Sequence, residues 1–302
     1  MTQGDVTQDR ETPLAALAAT SRLWRYVLAA RLRTLSLSQA PVLAAAWLAA
    51  GEGRFRLDVT LAAMLGAGAI QLGTNLWNDA ADAASGVDRP DRLGPPRMVA
   101  LGLLDGAEVR RAAAASFALA SVAGLYLAAV GGWLVIAVGL VSLLMGYLYS
   151  MGPRPLSGLP LGEALVVLFF GLVAVSTTDW LQGGDPFGAR TLLTGLVLGL
   201  PAAAVLMLNN HRDRVQDARA GRRTLAIVIG DPASRGVYIA LLAGALVCAA
   251  VVAPSGWLLL PAGGALWLSR AMLRLPVSAR LNALIGRTAL FELVLLGALA
   301  LG

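Results

Sequence analysis

The sequence has no lysine, so all 24 of its basic residues are arginines. It has a single cysteine, Cys248, inside an apolar stretch, which excludes a disulfide framework and leaves a small apolar helix residue. One histidine, His211, is too few for a zinc site, and its place at a helix end suits a hydrogen-bonding role. There is no phosphate loop, no nucleophile elbow and no thiol pair. Charge is scarce: 14% of the 302 residues are charged, against about 25% in soluble domains. Aromatics are equally few at 6%, while 57% of the chain is hydrophobic and the mean hydropathy is +0.70. The charges are segregated between long apolar runs, as in a polytopic helical membrane protein. Abundant Ala, Leu and Gly let such helices approach closely.

Apolar runs at 35–50, 59–81, 110–129, 131–150, 162–181, 191–212, 234–252, 256–272 and 284–301 predict an all-α, multi-pass membrane protein of about nine spans. Residues 1–20 are expected to form a flexible tail, and 21–302 a single transmembrane domain. Asp5, Asp9 and Glu11 carry the wrong charge for the first region of a cleavable signal peptide. Trp24 and Tyr26 beside Arg22 and Arg25 predict an interfacial helix leading into the first span. Only three arginines, Arg54, Arg56 and Arg190, fall in the odd loops. The positive-inside rule therefore places the N-terminus and the even loops in the cytoplasm of a cell-membrane protein. It also explains the basic balance without nucleic acid as a partner.

The two longest cytoplasmic loops carry the unusual polar residues. Asn75, Asn78, Asp79 and Asp82 end the second span at i, i+3, i+4 and i+7, so two amides and two carboxylates share one helical face. The sixth span ends with Asn209, Asn210, His211, Arg212, Asp213 and Asp217, in which Asn209, Asp213 and Asp217 are spaced by four. Each cluster is followed by glycine and arginine, as at Gly94 with Arg97 and at Gly221 with Arg222. Two spans thus end in the same chemistry on one membrane side, which suggests a repeat of topology. Carboxylates at the hydrocarbon boundary are costly unless paired. Each like-charged pair at ~4 Å costs about 4 kcal/mol at an effective dielectric near 20. A divalent cation relieves that repulsion. Hard oxygen ligands suit Mg²⁺, which bridges carboxylates to phosphates, and arginine forks suit the same phosphate oxygens. Solvated charges capping two helices are the bland alternative. An ion carrier is a second alternative, but its carboxylates should lie near the bilayer midplane.

Other candidates are single residues. Tyr147 and Tyr149 precede Gly152-Pro153 on the same side and either belong to an aromatic belt or contact substrate. Glu163, near the start of the fifth span, complements a helix N-terminus. Asp179 and Asp185 fall on the opposite side and are expected to be solvated.

These clusters resemble the UbiA superfamily of intramembrane prenyltransferases. The first is similar to its N-D-x-x-D motif at Asn78, Asp79 and Asp82, and the second to its D-x-x-x-D motif at Asp213 and Asp217. The match is closer to the branch of 1,4-dihydroxy-2-naphthoate polyprenyltransferases of menaquinone synthesis. Its G-x-D-x-x-D-R-x-G-P-x-R pattern is met at Gly86, Asp88, Asp91, Arg92, Gly94, Pro95 and Arg97. Its N-N-x-R-D-x-x-x-D pattern is met at Asn209 to Asp217, followed by Thr224-Leu225-Ala226. The segments Arg31 to Leu35 and Tyr147 to Pro155 are similar too, and the likeness runs from about residue 24 to 301. The chain departs from that branch at Ala80 and Ala81, where aromatics are usual, and at Leu32, Arg33 and Arg222, where proline, lysine and lysine are usual.

The resemblance implies helices around a central, lipid-open cavity and Mg²⁺-dependent prenyl transfer from a polyprenyl diphosphate to an aromatic acceptor. Asn78, Asp79, Asp82, Asp88, Asp213 and Asp217 would hold the metal. Asn75, Asn78, Arg33, Arg97, Asn209, Asn210, Arg212 and Arg222 would contact diphosphate or acceptor. Asp79, Asp82, Asp213, Asp217 and Tyr149 would be catalytic, the tyrosine stabilising an allylic cation or orienting the acceptor. The prenyl tail would run between helices into membrane lipid. The rivals are transfer to another acceptor, closure of the cation on itself as in an intramembrane terpene cyclase, and a cation transporter or lipid-diphosphate binding protein without chemistry.

Overall fold

The computed structural model describes residues 16–84, 93–150 and 155–302, apart from the side chains of Arg33 and Ser150. These residues form helices and no strands. A short helix α1 (Arg22–Ala29) starts under a cap in which Ser21 Oγ accepts from the Trp24 N–H. Leu23 and Trp24 are exposed on it, which suits the interfacial role expected. The tight turn Leu32–Thr34 leads into α2 (Ser36–Gly51). Then follow α3 (Leu57–Ala84), α4 (Gly106–Gly131) and α5 (Trp133–Ser150). A continuous helix α6 (Gly162–Leu181) comes next, then α7 (Ala189–Arg219), α8 (Leu225–Val252), α9 (Leu259–Arg274) and α10 (Leu281–Leu301). The first turns of α8 are set off by a break at Gly230, whose φ of +78° needs a residue without Cβ.

Each apolar run of the sequence overlaps one of α2 to α10. Six of these helices, α3, α4, α6, α7, α8 and α10, are long and apolar enough to cross a membrane. At 1.5 Å per residue the 16 residues of α2 and of α9 reach only about 24 Å, short of a ~30 Å hydrocarbon core. Outward-facing Leu125, Leu140, Val247, Leu259 and Leu260 are largely exposed, as side chains that meet lipid are.

The core is built around α7. It packs against α8, α6, α10 and α2, and Leu198, Met207, Leu208, Leu242, Leu268, Leu284 and Leu295 are buried together there. α3 and α4 form a second tight pair. The middle of α6, Val167–Val173, is wound as a π-helix. There it meets α7 backbone to backbone. A Cβ on Gly171 would lie 2.4 Å from the Gly195 carbonyl oxygen and 2.8 Å from Gly199 Cα, so only glycines permit this contact.

Asp179 corrects an expectation. It is 1% exposed rather than solvated, with Arg54 at 3.2 Å and an accepted hydrogen bond from Thr191 Oγ1 at 3.0 Å. Position at a span end suggested water; the loop Gly51 to Leu57 folds over it instead, and Arg54 also donates to the Gln182 carbonyl. Burial works against the Arg54 charge, but hydrogen bonds to Glu52 and Asp179 outweigh it and raise its pKa. Asp185 is exposed as expected. Asp179→Ala is expected to cost about 2–3 kcal/mol, less than the ~3–5 of a fully buried pair because Arg54 keeps Glu52. A lowered thermal midpoint in detergent, with little change for Asp185→Ala, is the check.

Candidate active site

The site lies where α3 and α7 end on the same side of the bundle. α7 stays helical through Arg219, seven residues past the expected end of its span, so Asp213 and Asp217 keep their four-residue spacing on one face. α3 likewise runs on to Ala84 and carries Asn78, Asp79 and Asp82 as regular helix. Both ends thus present their carboxylates on rigid scaffolds.

Four of the expected residues are joined by charge. Arg97, 7% exposed, donates from Nη2 to Asp82 Oδ2. Arg222 Nη1 lies 3.1 Å from Asp217 Oδ1, and its Nη2 lies 3.9 Å from Asp82 Oδ1. One guanidinium therefore stands between the carboxylates of the two motifs, which lie far apart in the chain. Asp79, 1% exposed, accepts from the Val99 N–H at 3.0 Å and lies in the positive field of Arg97 and Arg31. Arg31 itself holds a left-handed backbone, with φ 53°, just before the turn into α2.

The remaining residues are drawn into neighbouring links. Arg212 forks onto Asp213 at 2.8 and 2.6 Å and also donates to Asn282 Oδ1 at 2.6 Å. Asn282 in turn donates to the Leu93 carbonyl at 2.8 Å, tying α10 to the loop after the first motif. Asn210 Nδ2 donates to Glu163 Oε1 at 2.9 Å. Asn209 Nδ2 binds the Val205 carbonyl at 3.1 Å on its own helix. Asn75 is turned to the entry segment, donating to the Ala30 carbonyl at 2.9 Å. Asn78 lines an apolar groove between α3, α4 and α5, together with Ile70, Thr74, Phe117, Leu143 and Tyr147. Asp88 and the Arg33 side chain lie outside the described residues, as do Asp91 and Gly152-Pro153.

The four carboxylates do not gather into one knot: among the described residues no three His, Cys, Asp or Glu side chains stand close enough to share a metal. The physical reason is visible. Each acid has a local donor, Asp79 the Val99 N–H, Asp82 Arg97, Asp213 Arg212 and Asp217 Arg222. The donor set is nonetheless carboxylate and amide oxygen without sulfur, which fits a hard divalent cation. Arginines aimed into the same space supply forked donors for phosphate oxygens.

Two residues join the site that the sequence did not assign to it. Glu163 was read as a helix-terminus charge; its tie to Asn210 places it beside the second motif. Asn282 sits at the start of α10 with no spacing pattern around it. A lone polar residue at the end of an apolar run was the only available signal for either.

The comparisons agree on the fold and the chemistry. The family described as UbiA prenyltransferase matches residues 39–285. The chain is 35% identical to 1,4-dihydroxy-2-naphthoate octaprenyltransferase of Escherichia coli over 242 residues, 76% of this chain and 77% of that protein. It is 38% identical to the protein of the same name from Mycobacterium tuberculosis over 226 residues, covering 72% and 74%. Among solved structures it is similar in fold to a UbiA homolog from Archaeoglobus fulgidus bound to GPP and Mg²⁺. That likeness has a TM-score of 0.61 at 17% identity and covers 91% of this chain and 99% of that one.

Proposed function

We propose that this chain, which belongs to the UbiA prenyltransferase family, transfers a polyprenyl group from polyprenyl diphosphate to 1,4-dihydroxy-2-naphthoate in menaquinone biosynthesis. That it is a prenyl-transferring enzyme follows from the family; the acceptor is our reading, supported by the relatives of that name. The observation that carries the proposal is the meeting of Asp82 and Asp217 at one guanidinium, since paired acid and arginine from two helix ends is what a metal-bound diphosphate requires.

Mg²⁺, held by Asn78, Asp79, Asp82, Asp213 and Asp217, with Asp88 in support, would neutralise the diphosphate oxygens and stabilise the leaving group when bound. A relative in fold described as bound to GPP and Mg²⁺ supports that choice of ion. The chain's own part is positioning and charge. Arg97 and Arg222, freed from Asp82 and Asp217 as substrate enters, offer forked donors to the departing diphosphate, with Arg33 and Arg212 in support. Asn78 lines the groove between α3, α4 and α5, whose apolar walls suit an isoprenoid chain. A shell with few water-facing polar groups protects an allylic cation from hydrolysis. Tyr149 serves as the aromatic neighbour of that cation. Attack by a ring carbon of the acceptor, with loss of its carboxylate, completes the transfer. The arginine bias supports a cytoplasmic position for this end of the bundle and for the N-terminus.

The test is mass spectrometry of products from the purified protein in lipid, with Mg²⁺, a polyprenyl diphosphate and the naphthoate. A decarboxylated, prenylated naphthoquinol is the expected product. Diphosphate release without a naphthoate adduct moves the assignment to another acceptor or to cyclisation. No diphosphate release with any acceptor overturns the enzymatic reading of the site.

A further inference from the structure

Glu163 is the second residue of α6 and is 5% exposed. Its Oε1 accepts from Asn210 Nδ2 at 2.9 Å. Its Oε2 is buried with no hydrogen-bond partner among the described residues, and no arginine forms an ion pair with it there. A buried carboxylate oxygen left without a donor is costly, so the position is built for a donor that arrives with a ligand. The chemistry of the two substrates decides which. A diphosphate presents only negative acceptor oxygens and is repelled by a carboxylate. An isoprenoid chain has no polar hydrogen. Of the two substrates, only the hydroxylated aromatic acceptor brings an O–H.

The depth of Glu163 sets it apart from the diphosphate end. Asn210, which holds Glu163, lies three residues before Asp213 on α7, about 4.5 Å deeper in the bundle. A ring bound there lies beneath the diphosphate end of the site rather than in it. Without a Cβ, buried Gly162 packs closely against its neighbours. A Cβ at Gly162 would stand 3.1 Å from Leu206 Cδ2 and 3.6 Å from the Tyr149 hydroxyl, so the backbone, Leu206 and Tyr149 already meet at that point.

We propose that Glu163 is the acceptor-binding residue, taking a hydrogen bond on Oε2 from a ring hydroxyl of the aromatic acceptor while Asn210 fixes Oε1. This rests on the prenyl-transfer reading above and deepens it. The carboxylate draws the hydroxyl proton toward itself without removing it, which enriches the ring in electron density and favours its attack on the allylic carbon. Glu163 thereby selects hydroxylated aromatics.

Steady-state kinetics of Glu163→Gln and Glu163→Asp test it, with the naphthoate acceptor and with its two mono-methyl ethers. The glutamine keeps an oxygen for Asn210 but turns the Oε2 acceptor into an N–H donor, so the charge and the accepting atom are lost together. Its acceptor KM is expected to rise roughly 10- to 100-fold, the worth of a hydrogen bond to a charged group. The KM for polyprenyl diphosphate and the Mg²⁺ dependence stay unchanged, and the aspartate variant recovers part of the loss. One methyl ether should cost the wild type a similar factor and cost the glutamine variant little more. Equal methyl-ether losses in both proteins overturn the proposal, as does a fall in kcat alone or a raised Mg²⁺ requirement. If neither variant folds, two methyl ethers that bind the wild type as well as the parent acceptor overturn it by themselves. A wild type that prenylates no hydroxylated aromatic defeats the parent reading instead, and direct acceptor titration of wild type and variant then decides Glu163 separately.

Discussion

Asp82→Ala and Asp217→Ala are each expected to lower kcat/KM for polyprenyl diphosphate by roughly 10³-fold, with the double variant little worse than either single one. A group aimed at charge that develops as a bond breaks is typically worth 10²–10³ in rate, and members of one unit fail together rather than additively. Both acids touch Arg222, at 3.9 and 3.1 Å, so either substitution removes one wall of the same site. Product formation by mass spectrometry, with diphosphate release beside it, measures this. Strictly multiplicative losses would mean that the two carboxylates act at separate places. As a control, Asp185→Ala, exposed on the opposite side, should leave turnover unchanged.

Gly171→Val is expected to prevent recovery of folded protein. The added Cβ would meet the Gly195 carbonyl oxygen at 2.4 Å and Gly199 Cα at 2.8 Å, and these are backbone atoms of the buried helix α7. Overpacking a core ordinarily costs about 1–3 kcal/mol because side chains give way. Here no side chain can yield, so α6 would have to leave α7, taking Glu163 from Asn210 with it. Gly124→Ala, on α4 with nothing within 4 Å of its would-be Cβ, should be neutral or slightly stabilising through helix propensity. Monodispersity in detergent and the thermal midpoint of the two variants make the comparison. A folded, monodisperse Gly171→Val protein would show that the π-wound stretch of α6 can shift along α7.

Much of the site could be read from the sequence because it is encoded locally. Asn78, Asp79 and Asp82, and again Asp213 and Asp217, declare a shared face through helical spacing alone, and the helices do run straight through them. The arginines that follow each motif were legible for the same reason. Glu163 and Asn282 were not, since each is tied to α7 by a single contact across 47 and 70 residues. Asp179 was misread because proximity to a loop says nothing about whether that loop folds back. The π-winding of Val167–Val173 left no compositional mark, and Gly171 within it became meaningful only beside Gly195 and Gly199. The short α2 and α9 show a further limit: apolar composition marks a helix, while its reach depends on where the chain turns.

The pairing of acids with nearby arginines bears on how the protein is made. Arg97 follows Asp82 by 15 residues, Arg212 is adjacent to Asp213, and Arg222 follows Asp217 by five. A ribosome that has just delivered the first motif has therefore almost delivered its counter-charge, whereas α7 emerges only after α4, α5 and α6. Asp79 likewise takes its donor, the Val99 N–H, from the loop that follows it, so no acid of either motif depends on the other half of the chain for a first partner. Arg222, reaching across to Asp82, is the late stitch that joins the two halves.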